Sequence, residues 1–297
     1  MQIDSAQLST FAAVIDEGSF DGAAARLHVT PSAVSQRIKT LESALGQVLV
    51  RRVRPSRPTV AGEAVLRLAR QVDLLETETL TAVRGAADGA GLRLPLAVNA
   101  DSLNGWFLPA LLALPPDLSV DFDLHQEDQD HSAELLRDGT VLAAVTADPR
   151  AVQGCRVQSL GKLRYLSIAT PAYAERWLSD RPLAEALAVA PMLVFNRKDA
   201  LQHRFLRKVG RRRLDPPVHS IPASGPFNRA IRLGLGWGMV EEDEVEADLA
   251  AGRLVEVAAG RFVDVPLYWQ HWKLESVVLA ALTDAVRDAA ATGLRQD

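Results

Sequence analysis

The sequence predicts a multi-domain α/β chain, and three observations predict it. Three short helical patterns precede a basic, proline-limited segment. A long helix with an a/d apolar repeat follows. Beyond it, strand and helix patterns alternate, and the alternation starts twice.

The first helix lies in LSTFAAVIDEGSF, where Leu8, Phe11, Val14 and Ile15 share helical spacing and Gly18 stops the run. DGAAARLHV is a second short helix that turns Ala24, Leu27 and Val29 inward. The third is TPSAVSQRIKTLESALG. Thr30 is a good N-cap and Pro31 a good first helical residue. Val34, Ile38 and Leu41 form its apolar stripe, while Ser32, Ser35, Gln36 and Lys39 lie off that stripe near the helix start. A tight turn before a capped third helix makes a helix-turn-helix. RRVRPSRPT, Arg51 to Thr59, then reads as a β-wing.

The chain has 297 residues and a formal net charge of -4, which gives no overall nucleic-acid signal. The local balance differs. Between Arg26 and Arg57 seven basic residues (Arg26, Arg37, Lys39, Arg51, Arg52, Arg54, Arg57) stand against the single acid Glu42. Such a patch is what phosphate contact requires. The first turns of a recognition helix enter the major groove. There Ser32 and Ser35 are short enough to reach base edges, Gln36 can pair two-fold with adenine, and Arg37 or Lys39 can reach guanine or phosphate. Arg51, Arg52 and Arg54 suit the backbone or the flanking minor groove. The alternative, an amphipathic helix with a solvated charged face, leaves the agreement of cap, proline, polar positions and wing unexplained.

From Thr59 the pattern is helical for about 27 residues, and Ala61, Val65, Leu68, Val72, Leu75, Thr79 and Ala82 form a coiled-coil seam. One helix cannot bury that stripe alone, so Val65, Leu68, Val72 and Leu75 are expected to meet a partner helix; packing on the same chain is the alternative. RGAADGAG, Arg84 to Gly91, reads as a hinge.

After it, LRLPLAVN, VDFDLHQ and VLAAVTA are strands, with WFLPALLAL and SAELLRD as the helices between them. The pattern restarts near Cys155 with RYLSIAT, PMLVF, ALQHRFLRKV, RAIRLGLG, WGMVEE, DEVEADLAAG and RLVEV. VPLYWQHW and a helix over Glu275 to Val286 close it. Two doubly wound α/β lobes follow, with ligands expected beyond the strand ends. The expected domains are residues 1–58, DNA-binding; 59–90, linker helix and hinge; and 91–297, effector-binding. Within the last, one lobe takes about 91–150 plus 264–297 and the other about 156–263.

NADSL opens a helix at the end of the first strand. The amides of Ser102 and Leu103, with the Ser102 hydroxyl, can hold a carboxylate. Asp101 repels an anion but can hold a cation of the same ligand, and Glu127 and Asp128 stand at the end of the second strand. A molecule carrying both charges is an amino acid, and a basic one would use further acids. Thr146 in the third strand and Ser224 at a helix start of the second lobe complete the expected effector set. A simple helix cap for Asp101 and a solvated loop for Glu127 and Asp128 are the alternatives.

Several classes are disfavoured. Hydrophobic residues are 48% and charged residues 24%, which suits a sizeable core and not disorder. Cys155 is the lone cysteine, so no internal disulfide forms, and it reads as a small buried hydrophobe in a reducing compartment. No signal peptide and no bilayer-spanning run are expected, and the chain is placed in the cytoplasm without membrane contact. GLGWG follows a helix and precedes a strand, the reverse of a dinucleotide turn. His125 and His131 match no metal spacing, and no nucleophile stands beside a base; neither metal, cofactor nor enzymatic activity is expected.

FAAVIDEGSFDGAAARLHVTPSAVSQRIKTLE, GQVLVRR and PTVAGE closely resemble the winged helix-turn-helix of LysR-type transcriptional regulators. LAVNADSL, QED, LGKLRYL, YWQHW with ES, and LRQD extend the resemblance to the ArgP/LysG branch. That resemblance implies a two-lobed effector domain like periplasmic binding proteins and dimerisation through the linker helix, with tetramers left open. It also implies a response to lysine or arginine that controls basic amino-acid export. The branch also carries the name of an inhibitor of replication initiation, so an effector-independent nucleoid or replication-control DNA binder is the rival reading. An amino-acid enzyme with a borrowed DNA-binding head is a third. The second lobe departs from the branch: PASGPFNRA has a small residue and Gly225 where the branch has Ser and Glu around a helix start, Glu241 stands where proline is common, and GRRRLD is unusually basic.

Overall fold

The computed structural model describes residues 3–84, 92–116, 118–126, 132–197, 199–210 and 213–296. The chain opens with α1 (Ser5–Asp16), α2 (Phe20–Arg26) and α3 (Pro31–Leu45). Each helix starts on the cap that its sequence supplies. Asp4 accepts from the Ala6 N–H, Ser19 from Gly22 and Thr30 from Ala33. Phe11, Val14, Val34, Ile38 and Leu41 are fully buried in one core. Gly46 ends α3 with a positive φ, which a residue without Cβ adopts without strain. The wing pairs β1 (Val50–Arg51) antiparallel with β2 (Arg57–Pro58). Glu42, the lone acid of the basic stretch, accepts from the Leu49 N–H at 2.8 Å and ties the wing to α3.

α4 spans Val60–Arg84. The Thr59 hydroxyl caps it by accepting from Gly62 and donates to the Val48 carbonyl. Leu66, Ala69 and Leu74 bury one face of α4 on its own chain, at 1%, 3% and 2% exposure. Leu68 and Leu75, on the opposite stripe, stay 37% exposed each. The expected hinge lies outside the described residues beyond Arg84.

β3 (Leu92–Val98), α5 (Ala100–Asn104), α6 (Leu108–Leu112), β4 (Val120–Gln126), α7 (Ser132–Arg137), β5 (Ala143–Thr146) and β6 (Cys155–Ala169) follow. Then come α8 (Pro171–Leu178), α9 (Leu183–Leu187), β7 (Met192–Val194), α10 (Leu201–Val209), β8 (Val218–Ser220) and α11 (Ser224–Arg232). The chain closes with β9 (Gly238–Glu241), α12 (Glu242–Ala250), β10 (Val255–Glu256), β11 (Phe262–Trp272) and α13 (Val277–Gly293).

The described residues form two compact units. One draws on Met1–Asn99, Pro109–Gln158 and Tyr268–Asp288, the other on Ala100–Leu108, Ser159–Leu267 and Ala289–Asp297. In the first, β3 runs parallel to β4 from Leu92 opposite Val120 to Val98 opposite Gln126. β5 is also parallel to β3, and Tyr268 to His271 of β11 run antiparallel to β5. In the second unit β6 pairs antiparallel with β9 and with β10, while β7 and β8 form a separate parallel pair. Leu166, Ile168 and Val240 pack on Phe227 and Ile231 from one face of the β6–β9 ladder. Alternation puts Tyr165, Ser167, Met239 and Glu241 on the other face.

WFLPALLAL is not one helix. Residues after Asn104 turn, and α6 restarts at Leu108, because Pro109 cannot extend a preceding helix. α8, α9 and β8 are elements that the sequence patterns did not distinguish. β6 and β11 run well beyond RYLSIAT and VPLYWQHW.

Gly62 shows how tightly α4 seats on the wing. A Cβ there would sit 2.2 Å from the Leu49 carbonyl oxygen, so Gly62→Ala must displace backbone. Denaturant titration of the full chain is expected to show a loss of ~1–3 kcal/mol; an unchanged midpoint would contradict this packing.

Candidate functional site

Two places gather the chemistry. The first is the outer surface of α3 and the wing. Thr30 and Pro31 open α3, and the Ser32 hydroxyl lies 2.9 Å from that of Thr30. Ser32, Gln36 and Lys39 are exposed and Ser35 is half-buried. Arg37 turns the other way: it donates to the buried Thr10 hydroxyl at 3.2 Å and holds α3 on α1. Arg51, Arg52 and Arg54 are exposed, and none forms an ion pair among the described residues. Arg52 rests 5.1 Å from the centre of the Phe20 ring. The surface therefore presents short hydroxyls and an amide beside unneutralised cations, which is the composition that reads bases and holds phosphates.

The second place is in the other compact unit. Asp101 sits in α5, and its carboxylate accepts from the Tyr165 hydroxyl at 2.6 Å. Burial raises its pKa from the ordinary carboxylate value, the tyrosine bond opposes that rise, and Asp199 adds to it. Burial beside Asp101 holds the Tyr165 phenol far above its usual value, so it remains an O–H donor. Glu241, directly opposite Tyr165 across the β6–β9 ladder, comes up under the same turn. Its Oε2 lies 3.4 Å from where a Gly105 Cβ would stand. Burial first, then the charge of Asp101, pushes the Glu241 carboxyl up to about 9. Asp199 is fixed by accepting from Phe195 and Leu201 N–H groups. Among the described residues no cation pairs with Asp101 or Glu241; the nearby Arg295 is committed to Glu242. Two half-buried carboxyls this close disfavour each other's ionisation unless a positive partner arrives.

The remaining expected residues fall elsewhere. Ser102 is fully buried, and its hydroxyl accepts from the Trp106 indole at 3.0 Å, so it braces the turn. Leu103 is partly buried in α5. Thr146 is buried in β5 and accepts from the Asp148 N–H. Ser224 is the half-buried first residue of α11. Glu127 and Asp128 lie outside the described residues. Cys155 is buried, and burial pushes its thiol up to about 11, as a packed hydrophobe requires. GLGWG links the end of α11 to β9. Sequence reasoning did not select Tyr165 or Asp199, and it noted Glu241 as a departure without giving it a role.

Residues 5–63 match the family model described as bacterial regulatory helix-turn-helix protein, lysR family, and residues 87–291 match the LysR substrate binding domain. The chain belongs to the LysR family. It is a DNA-binding transcriptional regulator of that family and not an enzyme. The lysine export transcriptional regulatory protein LysG of Corynebacterium glutamicum is 44% identical over 297 residues, covering 97% of this chain and 98% of that protein. The crystal structure of ArgP from Mycobacterium tuberculosis superposes with a TM-score of 0.90 at 48% identity, covering all of both chains. Full-length LysG from Corynebacterium glutamicum with bound effector Arg gives 0.80 at 41% identity, over 99% of this chain and 100% of that one. No helix among the described residues of this LysR protein is long and apolar enough to cross a membrane.

Proposed function

We propose that this LysR regulator acts in the cytoplasm as a homodimer on promoter DNA, and that lysine or arginine modulates its binding to control an amino-acid exporter gene. The observation that carries the effector reading is Asp101. Its desolvated carboxylate has a phenol partner and, among the described residues, no cation. A basic amino acid supplies that cation, and the first-turn N–H groups of α5, at Ser102 and Leu103, are assigned to its α-carboxylate. The relatives support the same chemistry, one being named for lysine export and another holding arginine. The regions assigned are 1–58 to DNA, 59–90 to the linker and 91–297 to the effector.

Removing one partner of a desolvated charge pair costs ~2–5 kcal/mol. Asp101→Asn keeps the shape and removes the charge. Calorimetry on the full chain should show lysine and arginine weakened by that amount, and a neutral amino acid of similar length weakened far less. Lysine bound as tightly by the variant as by the wild type would make Asp101 a helix cap and nothing more.

Gln36 and Ser35 read bases in this proposal, with Arg51, Arg52 and Arg54 on the backbone. Gln36→Ala should lose ~1–3 kcal/mol on the operator and relax preference at one position. Arg54→Ala should weaken operator and random duplex alike and reduce the salt slope by about 1. Fluorescence anisotropy on both duplexes decides; equal losses for Gln36→Ala on both would remove it from base reading.

The stripe of Val65, Leu68, Val72 and Leu75 makes the dimer. Leu68→Glu with Leu75→Glu sets like charges across that seam, so sedimentation should show a smaller species. A double variant of unchanged mass and operator affinity would place the contact elsewhere.

A further inference from the structure

The acid group around α5 contains one member that a simple salt bridge does not use. Asp101 already has the Tyr165 hydroxyl, and one ammonium or guanidinium would satisfy it. Glu241 adds a second carboxyl against the same turn, reached from β9, with Gly105 leaving the room that a side chain would fill. No described side chain donates a hydrogen bond or an ion pair to Glu241, although Tyr165 stands beside it on the ladder. A separate orphan shares its face. The Ser167 hydroxyl, two residues along β6 from Tyr165 and fully buried, has no hydrogen-bond partner among the described residues. A buried unpaired hydroxyl on the face that carries Glu241, an acid with no described donor, marks a surface built to receive a polar guest.

We propose that Glu241 adds to this site's selectivity for cationic effectors beside Asp101, held as a neutral carboxylic acid when the site is free and ionised when the cation enters. The inference rests on the effector reading above and adds a proton to it. The O–H bond of Glu241 breaks, its proton passes to solvent, and the carboxylate left behind pairs with the ammonium or guanidinium. A neutral ligand offers no charge to hold the ionised form, so it leaves the proton in place.

The surroundings all push in one direction. Asp101 comes from α5, Tyr165 from β6, Asp199 from the segment after β7, and Asp243 and Glu244 from α12. The phenol stays neutral; the charges of Asp101, Glu244 and Asp243 each disfavour a second anion at Glu241, and Asp199 acts on Asp101. A carboxyl raised in this way keeps its proton as pH rises through the ordinary carboxylate range and gives it up only near its raised value. Effector binding must therefore strengthen with pH across the neutral range, because less work is needed to remove the proton.

Calorimetry of lysine and arginine on the full chain, in buffers of different ionisation enthalpy, counts the protons released. The wild type is expected to release about one proton per site, with affinity rising up to roughly tenfold per pH unit between about pH 6 and 8. Glu241→Gln keeps the shape and cannot ionise. It should fold, release almost no proton, lose the pH slope, and bind a neutral amino acid of similar length as the wild type does. Wild-type binding with no proton release, or a variant that releases the same proton, would overturn the assignment and leave the Asp101 reading intact. Failure of both amino acids to bind the wild type at any pH in that range would overturn the effector reading and this inference together.

Discussion

The ion pair between Asp16 and Arg70 sets the geometry of the DNA-binding end. Asp16 is the last residue of α1, where the helix dipole disfavours an anion. Two arginines hold it there: Arg70 of α4 at 2.6 Å and Arg26 of α2 at 3.0 Å. The Arg70 pair is sheltered, with 15% of either side chain exposed, so it is screened less than a surface pair. With α1 and α4 so registered, Leu66 reaches the core of the three short helices, and Thr59 and Gly62 lock α4 onto the wing. Further along, Glu78 accepts from the Ser276 hydroxyl and the Val278 N–H at the start of α13. One helix is thus held by charge at Arg70 and at Glu78 and by the apolar contacts of Leu66, Ala69 and Leu74. On its other stripe Leu68 and Leu75 stay exposed.

The N-terminal third was legible because its signals are local. Thr30, Pro31 and Gly46 start and stop α3 by backbone chemistry that needs no distant partner, and the stripe of Val34, Ile38 and Leu41 has a period that only a helix satisfies. The a/d seam of α4 was legible for the same reason. What the seam concealed was the second buried face, Leu66, Ala69 and Leu74, since a helix apolar on two sides reads as one broad stripe. Beyond the hinge the strands were visible, but their lengths were not. β6 covers 15 residues, of which β9 and β10 pair only with Tyr165 to Ala169; the strand runs on beside β11 ahead of its apolar stretch. The break between α5 and α6 required giving Pro109 more weight than the apolar run around it.

The acid site was half legible, and the missing half has a physical reason. Asp101 stood out because it opens a helix at a strand end. Glu241 stands first in EEDE, and a run of acids before a helix reads as a dipole-stabilised first turn. Tyr165 carries no signal at all in a strand where aromatic residues are ordinary. Their proximity depends on register: Tyr165 is opposite Glu241, and a slip of one residue would turn that carboxyl to the apolar face beside Phe227.

The same register explains why Glu241 is not simply a helix cap. It occupies the N-cap position of α12, where a side chain that accepts from the first turn is favoured, yet it makes no such bond. Glu242, Asp243 and Glu244 already fill the first turn with negative charge, so the dipole's attraction for an anion is shared among groups that water also solvates. Glu241 is drawn away from both benefits by its place on β9, which points it under α5 toward Asp101. A half-buried carboxyl that caps no N–H, meets no described cation and stands beside Asp101 is held well above the ordinary carboxylate range and keeps its proton at neutral pH. A cation placed beside it would favour the opposite form, since its attraction acts on the ionised carboxylate alone.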